Sequence, residues 1–234
     1  MQTPNANRSQ QKFSIHSIFT AMVFGLLVTV LAGSVRAETA LSFYLGSNSS
    51  PDSTVNYDLN LGDGPQSALV SWDGETFVMP PYFGMRAIWW LDQYPNWGIG
   101  IDNNHAKVAA NPLPAGLSRL EFTDGINIVT ANAHYRFQND SRFTPYAGLG
   151  IGITVPHVEV TNVAETSHTS EYQLGGPAVQ AIAGVDAAIN DRWSVFGELK
   201  IAYVEISGDL NGGGWVKSNI VSNQIAFGLS YTLN

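Results

Sequence analysis

Residues 145–155 read Pro-Tyr-Ala-Gly-Leu-Gly-Ile-Gly-Ile-Thr-Val, and the alternation never breaks. Pro145, Ala147, Leu149, Ile151, Ile153 and Val155 make one wholly apolar set. Tyr146, Gly148, Gly150, Gly152 and Thr154 make a small or polar one. A period of two puts successive side chains on opposite faces, which is the mark of a strand rather than a helix. The three evenly spaced glycines therefore line one face of a strand. A dinucleotide fingerprint would need them on a strand-to-helix turn.

The same pattern recurs on both sides of this stretch. Val179, Ala181, Ala183, Val185, Ala187 and Ile189 alternate with Gln180, Ile182, Gly184, Asp186 and Ala188. Trp193, Val195, Leu199, Ile201 and Tyr203 oppose Glu198 and Lys200. Ile225 to Leu233, Val129 to Phe137 and Phe83 to Leu91 repeat it, and weaker strands cover Thr39 to Gly46 and Trp97 to about Val108. Short polar turns join them at 92–96, 138–142 and 190–192, whereas the other connections are long, at 47–80, 109–124, 156–176 and 207–217. Short turns at one end and long ones at the other are the layout of an outer-membrane barrel. The expected fold is all-β, an eight-stranded antiparallel transmembrane β-barrel. Its periplasmic aromatic girdle would comprise Trp89, Trp90, Trp97, Tyr135, Phe137, Phe143, Trp193 and Tyr231.

A soluble barrel of the lipocalin type has the same alternation, because the period does not say which face looks inward. Strand length and loop asymmetry favour the membrane. So does the non-apolar face, which carries Arg86, His134, Arg136, Asp186, Glu198 and Lys200. Of these, Arg86, Asp186, Glu198 and Lys200 are expected to pair as a polar core inside the barrel.

Composition agrees. Charged residues are only 13% of the 234, glycine numbers 23, and mean hydropathy is zero. There is no basic excess to neutralise nucleic-acid phosphates. The absence of cysteine removes disulfides, zinc–thiolate sites and a thiol nucleophile. Residues 1–37 carry Arg8 and Lys12, then an apolar run from Ile18 to Ala32, then Val35-Arg36-Ala37. This is the layout of a secretory signal peptide cleaved after Ala37, leaving 38–234 as the barrel. The signal holds three basic residues and no acid, so the remainder has eight basic and nineteen acidic residues and a net charge of −11.

Eight strands leave an interior that side chains just fill, which argues against a diffusion pore. Function is therefore sought on the upper wall, in the outer connections or on the lipid-facing surface. His157 and Glu159 are two apart and share a strand face. Glu121 and Asp124 lie where a long connection enters its strand, and Asp102 and His105 lie high on theirs. Carboxylates with imidazole make a donor set for a divalent or redox-active metal ion. His157 and Glu159 are the candidate ligands, and all four of His157, Glu159, Glu121 and Asp124 are candidate catalytic residues. No G-x-S-x-G is present, and His168-Thr169-Ser170 is the lone Ser/His spacing of interest, in a polar stretch.

The stretches PPYFGMRAIWW (80–90), NHAKV (104–108), LEFTDGINIVTANAHYRF (120–137), TPYAGLGIGITVPHVEV (144–160), YQLGGPAV (172–179), INDRWSVFGE (189–198) and DLNGGGWVKSNIVSNQ (209–224) together span nearly all of the chain beyond the signal. They resemble the lipid A oxidase family of Gram-negative outer membranes. The resemblance implies an outer-membrane enzyme; a monomer is expected. It would oxidise the proximal glucosamine of lipid A to 2-aminogluconate, with molecular oxygen as oxidant and hydrogen peroxide as product. The partner implied is lipid A or whole lipopolysaccharide. Neither flavin nor nicotinamide is expected, and no catalytic residue carries over from the family. The alternatives are a structural or surface-interaction barrel without enzymatic activity, and a lipid A deacylase. Calcium or magnesium bridging the carboxylates to lipid phosphates is the other role for the acids.

Overall fold

A computed structural model of the chain describes residues 38–233; the signal segment and its cleavage point lie outside them. One sheet contains thirteen strands: β1 (Thr39–Asp58), β2 (Gln66–Asp73), β3 (Phe83–Leu91), β4 (Tyr94–His105), β5 (Val108–Ala110), β6 (Leu117–Phe122), β7 (Ile128–Arg136), β8 (Phe143–Thr154), β9 (His157–Asn162), β10 (His168–Tyr172), β11 (Pro177–Ala188), β12 (Trp193–Leu210) and β13 (Gly214–Leu233). Eight of them, β1, β3, β4, β7, β8, β11, β12 and β13, pair antiparallel in that order. The ring closes because the lower half of β1 pairs with β13 on one side and β3 on the other. This is the expected eight-stranded barrel, and closure leaves these strands no free edge.

Burial settles which face looks inward. Arg86, Asp102, His134, Glu198 and Lys200 are buried inside, whereas Leu149 and Ile151 are each 70% exposed on the outer wall. A soluble barrel would bury that apolar set. Here it forms a belt with Phe43, Leu45, Ile99, Leu199, Ile201, Ile225 and Phe227, so the medium around the barrel is lipid.

The glycines fit this narrow bore. Asn132 and His134 on β7 stand opposite Gly100 and Gly98 of β4 on one side, and opposite Gly150 and Gly148 of β8 on the other. Tyr44 is flanked in the same way by Gly84 and Gly228, and Tyr146 faces Gly184. Large inward side chains thus lie over neighbours that have none, the large/small alternation that lets a small barrel fill its interior.

The long connections expected to be loops are strands. The upper half of β1 pairs with β13 and β2, and β2, β5, β6, β9 and β10 follow as neighbours. β10 meets the top of β12 and β13 through side chains. Asn211 Nδ2 donates to the His168 carbonyl at 2.8 Å, and Gln173 Nε2 donates to the Asp209 carbonyl at 2.8 Å. The wall therefore rises beyond the belt as a second tier whose inner face is apolar: Val55, Val70, Phe122, Val158, Ile206 and Ile220 are buried there. Polarity inverts between the tiers because the surroundings change from lipid to water.

The girdle also needs one correction. Trp97, Tyr135 and Phe137 meet edge to face in succession with centroids 4.9 Å apart, and Trp193 meets Tyr231 at 4.7 Å. Trp90, however, is buried inside under the Arg136 guanidinium at 4.2 Å, because its even position faces the bore.

Candidate functional site

Mid-barrel, four charges from three strands, β3, β4 and β12, neutralise each other. Arg86 Nε reaches Asp102 at 2.9 Å, and its Nη2 bonds Glu198. Lys200 Nζ reaches Asp102 at 3.0 Å and Glu198 at 3.3 Å. Tyr44 donates to Asp102 and accepts from Lys200, and Tyr146 donates to Glu198 at 2.6 Å. The expected pairing of Arg86, Glu198 and Lys200 is thus present, but the fourth member is Asp102. Asp186 lies lower and accepts from Ser194 at 2.7 Å. Asp102 shares even parity with Gly98 and Gly100, so extending the alternation along β4 would have placed it inside. Two carboxylates and two cations make the cluster neutral, the condition under which buried charges are tolerated.

Above it, Gln180 Nε2 donates to Thr130 and Asn132, and Tyr82 donates to Gln224 at 2.7 Å. Below it, a vestibule of about 140 Å³ opens toward the short turns. At its edge Arg136 holds the Glu38 carboxylate with two bonds, 2.7 and 2.9 Å. With polar layers at mid-barrel and an apolar core above, the bore is filled rather than open.

The four candidate site residues lie on the outer face where the tiers meet. Glu121 of β6 is directly opposite Glu159 of β9, and Arg119 bridges them, bonding Glu121 and reaching Glu159 at 2.7 Å. His157 sits at the start of β9 with Nδ1 3.7 Å from Asp124, and its ring meets Tyr172 edge-on at 4.7 Å. Tyr172 in turn donates to the Asp124 carbonyl at 3.2 Å. The structure therefore brings the four together as two pairs. His157 and Glu159 continue the outward parity of β8, while Val158 and Val160 fill the core behind them. The other two acid and histidine candidates lie apart: Asp102 is in the inner cluster, and His105 stacks on Phe83 at 5.0 Å with Nδ1 bonded to Asn127.

These donors do not fit a metal ion. Both carboxylates of the Glu121–Glu159 pair are engaged by a guanidinium. Among the described residues no three His, Asp or Glu side chains converge for coordination. The metal expected from His157 and Glu159 thus lacks a donor set in this arrangement.

Burial, then the hydrogen bond to the Glu121 carboxylate, push the Glu159 carboxyl above its ordinary range. A carboxyl raised in the folded state favours folding when protonated, and that contribution disappears as pH rises through its folded value. Glu159→Gln is therefore expected to be more stable than the parent at pH 7 and indistinguishable from it below about pH 4. Urea unfolding in micelles at the two pH values checks this; equal midpoints at pH 7 would contradict it.

The closed ring, its lipid-exposed belt and its one-ended short turns define an outer-membrane β-barrel protein. No protein-family model matches the chain, and no curated protein matches it. Its fold is similar to that of the outer membrane protein OprG from Pseudomonas aeruginosa, at 15% identity and TM-score 0.57, over 85% of this chain and 96% of that one. It is also similar to outer membrane protein AlkL in DMPC bilayers, at 15% identity and TM-score 0.50, over 87% and 93%. Neisserial surface protein A aligns at 13% identity and TM-score 0.47, over 83% and 96%.

Proposed function

We propose that this barrel works from its outside, on the lipid around it, and that its substrate is lipid A, with oxidation of the proximal glucosamine as the reaction. One observation supports this most: the His157–Asp124 and Glu121–Glu159 pairs come together just above the belt, with a half-exposed Asp124 beside a His157 that is only 7% exposed. His157 opens β9 just past Val155-Pro156, beyond Ile153, the last lipid-exposed residue of β8. That is headgroup depth. A lipid reaches it by lateral diffusion without entering the filled bore. His157 Nδ1 lies 3.7 Å from Asp124, and closing that gap to a hydrogen bond would orient the ring to move a proton at a sugar hydroxyl. The redox step requires an electron acceptor, and molecular oxygen is the one proposed; oxygen chemistry ordinarily also needs a redox-active group.

The second reading is a structural or surface-interaction barrel. It is supported by the rigid second tier, whose apolar core extends to the hairpin ends. Mass spectrometry of lipid A from cells with and without the gene separates the two. A gain of about sixteen mass units, one oxygen atom, is expected for the oxidase. It should be lost in His157→Ala while the folded barrel still reaches the membrane. Unchanged lipid A under aerobic growth would refute the enzyme, and loss of an acyl chain would indicate a deacylase.

A further inference from the structure

Between the tiers, one strand carries surplus chain. β1 passes from Leu45, paired with Phe83, to Ser50, paired with Trp72, in five residues; the neighbouring chain takes eleven to cover the same rise. The excess, residues 74–82, must leave the wall. Its backbone is tied down. Lys107 Nζ donates to the Val78 carbonyl at 2.8 Å, Val78 N to the Glu75 carbonyl at 3.1 Å, and Tyr82 N to the Thr76 carbonyl at 3.3 Å. Tyr82 itself is fully buried. Its tip is nevertheless apolar and open: Phe77 is 91% exposed and Met79 79%, with Val78 beside them.

Three consecutive apolar side chains held out by a fixed base are costly in water. Their surroundings identify the medium. The segment leaves the wall at Phe83, which stacks on Phe43 at 6.5 Å, and Phe43 and Leu45 belong to the lipid-exposed belt. The apolar tip therefore continues a surface already in lipid.

We propose that Phe77–Met79 is a finger that dips into the acyl-chain region of the outer leaflet and fixes the depth of that side of the barrel. Its occupant is the surrounding lipid, which covers the adjoining belt. Lys107, which holds the finger at Val78, is within electrostatic reach of Asp124 and Glu121, so the substitutions are confined to the exposed side chains of Phe77 and Met79 and leave Lys107 and those acids in place.

The chain has no cysteine, which allows a clean test. Phe77→Cys, Met79→Cys and, at the far hairpin end, Leu61→Cys are each labelled with an environment-sensitive fluorophore. The labelled barrels are then reconstituted in phosphatidylcholine vesicles carrying nitroxides on the acyl chains. Labels at 77 and 79 are expected to emit blue-shifted light and to be quenched by the nitroxides at least about threefold more than the label at 61, which aqueous iodide should reach instead. Iodide quenching at 77 and 79 equal to that at 61 would overturn the proposal. Shielding from both quenchers would also overturn it, since that would mean a protein covers the finger. Two finger positions guard against one variant failing to fold.

Discussion

Lys200→Met is expected to destabilise the barrel by about 3–5 kcal/mol, the usual result of leaving a buried charge unpaired. The parent cluster is neutral: Arg86 and Lys200 against Asp102 and Glu198, with the Lys200, Asp102 and Glu198 side chains fully shielded from solvent. Removing the ammonium leaves one net negative charge that neither water nor lipid reaches, and Tyr44 loses its donor. The destabilisation should arise from the imbalance more than from lost contacts. The double variant Lys200→Met/Asp102→Asn keeps one cation and one carboxylate, Arg86 and Glu198, and is expected to recover more than half of the loss. Urea midpoints of the four members of this cycle measure the coupling. A single variant as stable as the parent, or a double variant worse than the sum of its singles, would show that neutrality is not what holds the cluster.

The second large effect is steric. A Cβ on Gly84 would lie 2.0 Å from the Tyr44 ring and 2.2 Å from its hydroxyl. Tyr44 has nowhere to go. Asp102 and Lys200 hold its hydroxyl, and Phe196, whose ring fills the space over Gly228, meets its ring edge-on at 6.1 Å. Gly84→Ala is expected to cost about 3 kcal/mol, the upper end of the usual overpacking range. Alanine ordinarily stabilises a strand relative to glycine, so a loss points to the clash itself. Gly197→Ala is the control. Its Cβ would point outward and meet only the Phe227 ring, at 3.3 Å, and the change should be less than about 1 kcal/mol. Equal losses at the two positions would remove the packing explanation.

The membrane tier was legible because a single rule governs it. Outward residues meet lipid, so every odd position from Leu149 to Ile153 or from Val179 to Val185 had to be apolar. The second tier follows the opposite rule, so its residues break the membrane-type alternation and resemble connections. Val204 and Ile206 on β12 are apolar at even positions, which face the bore, because water is now outside. A register shift between Ser49 and Val55 further swaps the parity of β1, so Tyr44 and Val55 both point inward.

The candidate site was legible only in part. Two-residue spacing places His157 and Glu159 on one face. That Asp124 would turn back to His157, and that Arg119 would join Glu121 to Glu159, follows from the β6–β9 pairing and is not encoded by local spacing. Asp102 illustrates the same limit in the bore. Arg86 is its direct partner across the β3–β4 hairpin, but Glu198 and Lys200 lie on β12, which only ring closure brings near.

The glycines that make room in the bore have a further effect before the bore exists. An exported barrel chain must cross an aqueous compartment unfolded, with its apolar alternation exposed. Segments of high β-propensity and low charge are the ones that associate edge to edge at that stage. Gly148, Gly150 and Gly152 interrupt one of the most apolar of these segments, and glycine inside a strand weakens it until neighbours supply the packing. Gly148 and Gly150, which admit His134 and Asn132 to the finished barrel, are for the same lack of a side chain weak strand formers until partner strands supply the packing.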